Sequence, residues 1–118
     1  MENQAAVADK RYTSLLKEIK ERIAVLRPWK VIIFGSAAKG TLTEESDIDI
    51  VVILDKPGIS KDYSEILENK SEVSRVLRDI RKKVPVDLLV YTRDEWEALK
   101  KSGSSFYMEI EKEGYVLL

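Results

Sequence analysis

The stretch from Phe34 to Ile50, FGSAAKGTLTEESDIDI, decides the fold of this chain. It places a Gly-Ser pair ahead of an Asp-x-Asp pair, with ten residues between them. The apolar run of residues 31–34 leads into the Gly-Ser pair, and a second apolar run over 48–54 begins inside the acidic pair. Short apolar runs bounded by turn residues are typical of buried strands. The pattern predicts a strand, a tight turn, a polar loop and a second strand.

Apolar residues at steps of three and four predict helices around these strands. Capping patterns at Asp62 and Thr92, each followed three residues later by Glu, support two of the helix starts. The predicted strands cover residues 30–34, 47–54, 84–91 and 115–118. The predicted helices are one over 12–26 ended by Pro28, a brief one ended by Gly40, a long one over 63–80 with a break near Asn69, one from Thr92, and one over 106–113. The last helix is expected to be closed by Gly114 in the left-handed conformation common at the C′ position. Residues 41–46 are predicted to be a loop. Residues 1–9 are predicted to be frayed.

Composition restricts the chemistry that this chain can perform. Its 118 residues predict one domain over 1–118, and a net charge of −1 does not favour general binding to nucleic acid. The sequence has no Cys and no His, so thiol nucleophiles, imidazole bases and zinc sites built from these residues are excluded. Acid-base or metal chemistry must therefore use carboxylates. With no apolar run of membrane-spanning length and no signal peptide, a cytoplasmic protein without membrane contact is expected.

The acidic pair is a candidate metal site. Successive side chains of a strand point to opposite faces, so Asp47 and Asp49 are expected to point the same way. Two neighbouring carboxylates repel each other, and hard cations such as Mg²⁺ bind carboxylate and phosphate oxygens. Asp87 lies in the apolar run PVDLLV, where a buried, unpaired carboxylate would be costly. If the third strand lies beside the second, the three carboxylates could hold two metal ions for in-line displacement at phosphorus.

The Gly-Ser pair is a candidate phosphate site. Gly35 lets the backbone approach a phosphate closely, and Ser36 offers a hydroxyl and an N–H at the start of a short helix. Lys39 is the nearest cation and is predicted to meet the outer phosphates. Each of these short motifs alone is common in ordinary turns and strand ends, but their order along the chain makes the whole pattern specific.

The pattern resembles the signature of the nucleotidyltransferase superfamily related to DNA polymerase beta. The short chain resembles the minimal nucleotidyltransferase (MNT) family in particular. The matching segments are GSAAKG at 35–40, SDIDI at 46–50, VDL at 86–88 and EGYVL at 113–117. The resemblance implies an α+β fold, a polymerase palm-like mixed sheet of three to four strands with helices packed largely on one face.

The resemblance also implies a function and a set of site residues. Asp47, Asp49 and Asp87 would be the catalytic and metal-binding residues, and Gly35 and Ser36 would bind the nucleotide. The implied reaction transfers AMP or another NMP from a nucleoside triphosphate, with Mg²⁺ (two ions, or Mn²⁺) as cofactor and ATP as substrate. Family members often act as antitoxins and add AMP to a tyrosine of a helical HEPN-type toxin partner, which makes a protein adenylyltransferase the leading hypothesis.

Two departures from the family pattern leave other functions open. Ala37 stands where the family often has Arg, and Lys39 replaces a second Arg, although Arg and Lys bind phosphate differently. One alternative is a small-molecule nucleotidyltransferase of the aminoglycoside-modifying kind, with its acceptor held at a homo-oligomer cleft. Another is a non-catalytic antitoxin that acts by binding alone. The basic residues Arg78, Arg81, Lys82 and Lys83 are interpreted as a solvated helix end more readily than as a nucleic-acid contact.

Overall fold

The computed structural model describes residues 10–39 and 47–118, with the side chains of residues 10 and 11 excepted. The frayed segment 1–9, the helix end at Gly40 and the loop 41–46 that the sequence predicts lie outside this range. No helix in the described part of the chain is long and apolar enough to cross a membrane.

Four strands form one mixed sheet in the order β3-β2-β1-β4. β1 pairs antiparallel with β2 and with β4, whereas β2 and β3 run parallel. In chain order the elements are α1 Lys10–Ala24, β1 Lys30–Phe34, α2 Ser36–Lys39, β2 Ile48–Leu54, α3 Tyr63–Val76, α4 Arg78–Arg81, β3 Val86–Thr92, α5 Arg93–Lys101, α6 Ser105–Glu113 and β4 Tyr115–Val116. The parallel pair needs a long crossover, which α3 and α4 provide.

Helices cover both faces of the sheet, although unequally. The larger core cluster joins one face to α1, α3 and α4 through fully buried residues such as Ile19, Ile50 and Leu77. The smaller cluster packs Trp96 of α5 and Ile110 of α6 on the opposite face. The α+β fold with a mixed sheet is confirmed. The expected single dominant helical layer is present, but a second, smaller layer accompanies it.

The smaller layer explains where the sheet leaves room for a site. α5 and α6 cover the part of their face that carries Ile32, Val51 and Ile53. Asp47 and Asp49 precede Val51 by steps of two, so they lie on this same face but nearer its end. The carboxylates thus occupy the part of the α5–α6 face at the start of β2.

Two local predictions are corrected by the structure. The long helix breaks at Leu77, between α3 and α4, and not near Asn69, whose side-chain oxygen instead accepts a hydrogen bond from Lys56 Nζ at 3.0 Å. Gly114 ends α6 with φ −72°, so it is not there to adopt a left-handed conformation. A Cβ at this position would lie 2.5 Å from Ile110 O and 2.5 Å from Ile32 Cγ2. Close packing therefore requires the glycine.

The capping box predicted at Thr92 is confirmed, and it also joins three segments. Thr92 Oγ1 accepts from Glu95 N, and Glu95 Oε1 accepts from Thr92 N at 2.9 Å. Glu95 Oε2 accepts from Ser60 N at 2.7 Å, while the Thr92 hydroxyl donates to Gly58 O at 2.7 Å. These bonds tie the end of β3 to the loop that follows β2, and they fix the register of the parallel strands.

Candidate active site

Strand register brings Asp49 and Asp87 together. β2 and β3 are parallel, with Asp49 directly opposite Asp87 and Ile48 opposite Val86. Because both aspartates lie near the start of their strands, the two side chains lie on the same face at the same end of the sheet. Ile48 N donates to Pro85 O at 2.9 Å and extends the pairing to the start of β3. The expectation that the third strand lies beside the second is confirmed.

Asp87 differs from its expected environment. The apolar run around it suggests a buried carboxylate, but its side chain is exposed, as is that of Asp47, and Asp49 is half-buried. The difference arises because β3 is an edge strand and Asp87 is its second residue. Exposure removes the desolvation cost of the charge and leaves the carboxylate open to a ligand from solvent.

Asp49 is the electrostatic centre of this group. Burial raises the pKa of Asp49 above its ordinary value, and the charges of Asp87 and then Asp47 raise it further. A hydrogen bond with the side chain of Asp87 acts in the same direction, because it requires a proton between the two carboxyl groups. The three aspartates therefore form one coupled cluster. A cation placed among them would remove the repulsion and replace the shared proton.

The Gly-Ser turn lies against the same carboxylate. Gly35 has φ +69°, a left-handed conformation that favours glycine. Phe34, the residue before it, pairs across the sheet with Asp49. A Cβ at Gly35 would collide with Asp49 Oδ2 and lie 3.2 Å from Asp49 Cγ. The Asp49 carboxylate thus occupies the position that a Cβ at residue 35 would fill, so the close approach of turn and carboxylate requires a glycine.

Ser36 and Lys39 are the two ends of α2, which begins directly after this turn. Ser36 is half-buried at the helix start, while Lys39 at its end forms an ion pair with Glu113 of α6 at 3.4 Å. The side chains of Lys39 and Glu113 are 54% and 44% exposed, and exposed ion pairs of this kind contribute under about 1 kcal/mol to stability. No sequence pattern predicts the pair of Lys39 with Glu113, and this pair can be exchanged for a phosphate contact at little cost.

Sequence reasoning also missed Tyr12 of α1. Its side chain is 5% exposed, and no hydrogen-bond partner for its hydroxyl is present within residues 10–39 and 47–118. Burial, with a further contribution from the nearby charge of Asp49, raises the pKa of Tyr12 to about 12. A buried donor without a partner costs about 1–3 kcal/mol. The helical spacing of Tyr12 marks it as a core residue, and no sequence signal shows its closeness to the acidic cluster.

The cluster fits a hard divalent cation by its chemistry. All of its donors are carboxylate oxygens, which is the ligand type that Mg²⁺ prefers. Burial and the repulsion among the aspartates raise the pKa of Asp49, and a positively charged group placed among them would relieve the repulsion. In the part of the chain that the structure describes, no group of three or more acidic side chains is arranged so that it could hold a metal ion.

Comparisons with known proteins agree with this geometry. The family described as "Nucleotidyltransferase domain" matches residues 13–116, which is nearly the whole chain. The fold matches the crystal structure of a Sulfolobus solfataricus protein assigned as a nucleotidyltransferase, with a TM-score of 0.59 and 24% identity. That match covers 95% of this chain and 85% of the other. A comparison with curated proteins finds no match. The chain belongs to the nucleotidyltransferase domain family, as its resemblance to the polymerase beta-like superfamily predicted.

Proposed function

We propose that this protein transfers a nucleoside monophosphate, most simply AMP from ATP, to an acceptor hydroxyl. The observation that carries the proposal is the juxtaposition of Asp49 with Asp87 on one side and with the glycine turn on the other. Asp47, Asp49 and Asp87 would hold Mg²⁺, which when bound supplies positive charge to the phosphates and lowers the pKa of the acceptor hydroxyl. The family assignment supports nucleotidyl transfer as the reaction type.

The chain's own residues would bind and orient the triphosphate. The absence of a side chain at Gly35 would let a phosphate approach the backbone of the turn, and the Ser36 hydroxyl and N–H would donate to it. Lys39 would exchange Glu113 for an outer phosphate. Asp87, which is exposed on the edge strand, would accept the proton of an incoming hydroxyl. Rate enhancement would rest on positioning and charge neutralisation, as in phosphoryl transfer generally.

For the acceptor we propose a tyrosine of a HEPN-type helical partner, with the protein acting as its antitoxin. This part rests on the resemblance to minimal nucleotidyltransferases.

Intact-mass spectrometry of a co-expressed partner tests the acceptor. A HEPN-type protein of the source organism would be co-expressed with wild type and with Asp87→Ala, and its intact mass would be measured. A mass increase by whole AMP units, located on tyrosine and absent with Asp87→Ala, is expected. An unmodified partner that still forms a complex and loses its toxicity would support the non-catalytic antitoxin instead. Turnover of ATP with aminoglycosides and not with protein would support the small-molecule enzyme.

A further inference from the structure

A second polar hollow lies at the corner between α3 and α4. These helices cover the sheet face opposite to the aspartate cluster, so the hollow is separate from the candidate active site. It has a volume of about 430 Å³ and is open to solvent. Its lining consists of two serines and three arginines: Ser71, Ser74, Arg75, Arg78 and Arg81. No acidic side chain belongs to this lining.

The break at Leu77 allows the three arginines to share one hollow. In a straight α-helix, residues three apart are offset by about 60° around the axis, so three such positions fan over about 120°. Leu77 leaves the helical conformation with φ −99° and ψ 8°, and α4 starts at the next residue. The side chain of Leu77 is fully buried, so packing in the core holds this break in place. Arg81 Nη1 also donates to Ser74 Oγ, which ties α4 back to α3 across the hollow.

Two acidic residues of these helices pair with cations other than the three arginines. Glu72, one helical turn before Arg75, binds Lys56 Nζ at 3.2 Å. Asp79, beside Arg78, binds Arg22 at 3.3 Å. Within the described residues, Arg75 and Arg78 have no ion pair. The carboxylates of Glu72 and Asp79 are thus engaged by other cations. Glu21 and Asp79 line a neighbouring hollow together with Arg75 and Arg78, but they do not line the hollow described above.

Helix-end electrostatics account for only part of this arrangement. Arg75 lies in the last turn of α3, where the helix dipole favours a cation. Arg78 is the first residue of α4, where the dipole gives a cation no such benefit. Three guanidinium groups around one hollow repel one another unless an anion is present. The arrangement is therefore better suited to binding than to stability.

We propose that this hollow binds a phosphoryl-bearing anion. Guanidinium groups present paired donors that match phosphate oxygens, and three of them can approach a tetrahedral group from different directions. A phosphoryl group of charge near −2 balances such a cluster better than a single carboxylate. The hydroxyls of Ser71 and Ser74 add donors that a phosphate has enough oxygens to accept. The proposal does not depend on catalysis at the aspartate cluster.

Binding of pyrophosphate to the ¹⁵N-labelled protein tests this site by NMR. EDTA is present throughout, so that metal-dependent binding at the aspartates is suppressed. We expect millimolar pyrophosphate to shift the amide signals of residues 71–81. Arg78→Gln should weaken the binding about tenfold, which is the loss expected for a charge-assisted contact. Lys82→Gln is the matched control, because Lys82 is an exposed neighbouring cation that does not line the hollow.

Further ligands identify the source of the phosphate. Arginine-dependent binding of a short single-stranded RNA would assign the site to a nucleic-acid backbone, and binding of pyrophosphate without RNA would assign it to a free phosphate ligand. Either result supports the proposal. It is overturned if the signals of 71–81 do not move, if Arg78→Gln and Lys82→Gln weaken binding equally, or if a glutamate-rich peptide binds as tightly as pyrophosphate. Circular dichroism confirms that each variant is folded.

Discussion

Replacing Gly35 with alanine should damage the site more than the fold. The substitution destabilises the fold in two ways: alanine is strained at φ +69°, and its Cβ collides with Asp49 Oδ2. The first costs about 1–2 kcal/mol, and moving the Asp49 side chain off its preferred rotamer adds about 1 kcal/mol. We expect the free energy of unfolding to fall by about 2–3 kcal/mol in total. Displacing a catalytic carboxylate by about 1 Å can lower the rate about 100-fold, so transferase activity should fall at least that far.

Gly103 provides a matched control for the backbone term. It has φ +73°, close to that of Gly35, but a Cβ there would meet nothing within 4 Å. Gly103→Ala should therefore cost only the backbone part, about 1–2 kcal/mol, and leave activity unchanged. Urea unfolding of both variants measures the difference, which isolates the contact with Asp49.

A double-mutant cycle then assigns the extra cost of Gly35→Ala to one side chain. In an Asp49→Ala background the colliding oxygen is gone, and the remaining Asp49 Cβ would lie at an ordinary 3.5 Å from the new methyl group. Gly35→Ala should cost no more in this background than Gly103→Ala does. Equal losses from Gly35→Ala with and without Asp49, or full activity of Gly35→Ala, would refute the close approach of turn and carboxylate.

Three further outcomes follow from the structure. Gly114→Ala should lower the free energy of unfolding by about 2–3 kcal/mol, because the added Cβ would meet the Ile110 backbone. The φ angle at Gly114 suits any residue, so it adds no cost. A loss below about 0.5 kcal/mol in urea unfolding would contradict this packing. Burial alone would raise the pKa of Glu95, but hydrogen bonds from Ser60 and Thr92 hold this pKa below its ordinary value. Glu95→Gln should therefore lower the free energy of unfolding by about 1–2 kcal/mol at neutral pH, and the two proteins should converge as acid protonates Glu95. A constant difference between them at every pH would argue against this role of Glu95. Because the raised pKa of Asp49 lets the native state hold a proton that the unfolded chain releases near pH 4, metal-free wild type should lose stability as pH rises through that pKa. Asp49→Asn should lack this loss and should gain less from Mg²⁺ in thermal unfolding; identical profiles for the two proteins in EDTA would contradict the coupled cluster.

The strands that carry the aspartates were predictable because their signals are local. The apolar runs of β1 and β2 are bounded by Gly35 and Pro57, and a two-residue spacing puts Asp47 and Asp49 on one face. The contact between Asp49 and Asp87 needed one further assumption, that β3 lies beside β2. The family resemblance suggested this adjacency, and the parallel register confirms it.

Features set by packing between distant segments could not be predicted. Leu77 breaks the long helix because it is buried where the chain must turn back to β3, and nothing in its own identity marks a break. Gly114 reads as an ordinary helix end until Ile32 is placed beside it. The pair of Lys39 with Glu113 and the exposure of Asp87 likewise depend on which elements become neighbours.

Label transfer from ATP most directly tests whether the aspartate cluster performs nucleotidyl transfer. Wild type and Asp47→Ala would be incubated with Mg²⁺ and lysate of the source organism, using ATP labelled at the α-phosphate in one series and at the γ-phosphate in another. We predict a product labelled only from the α-position by wild type and not by Asp47→Ala. Label from the γ-position would show phosphoryl transfer instead, and an equal α-labelled product from Asp47→Ala would contradict the proposed role of the cluster.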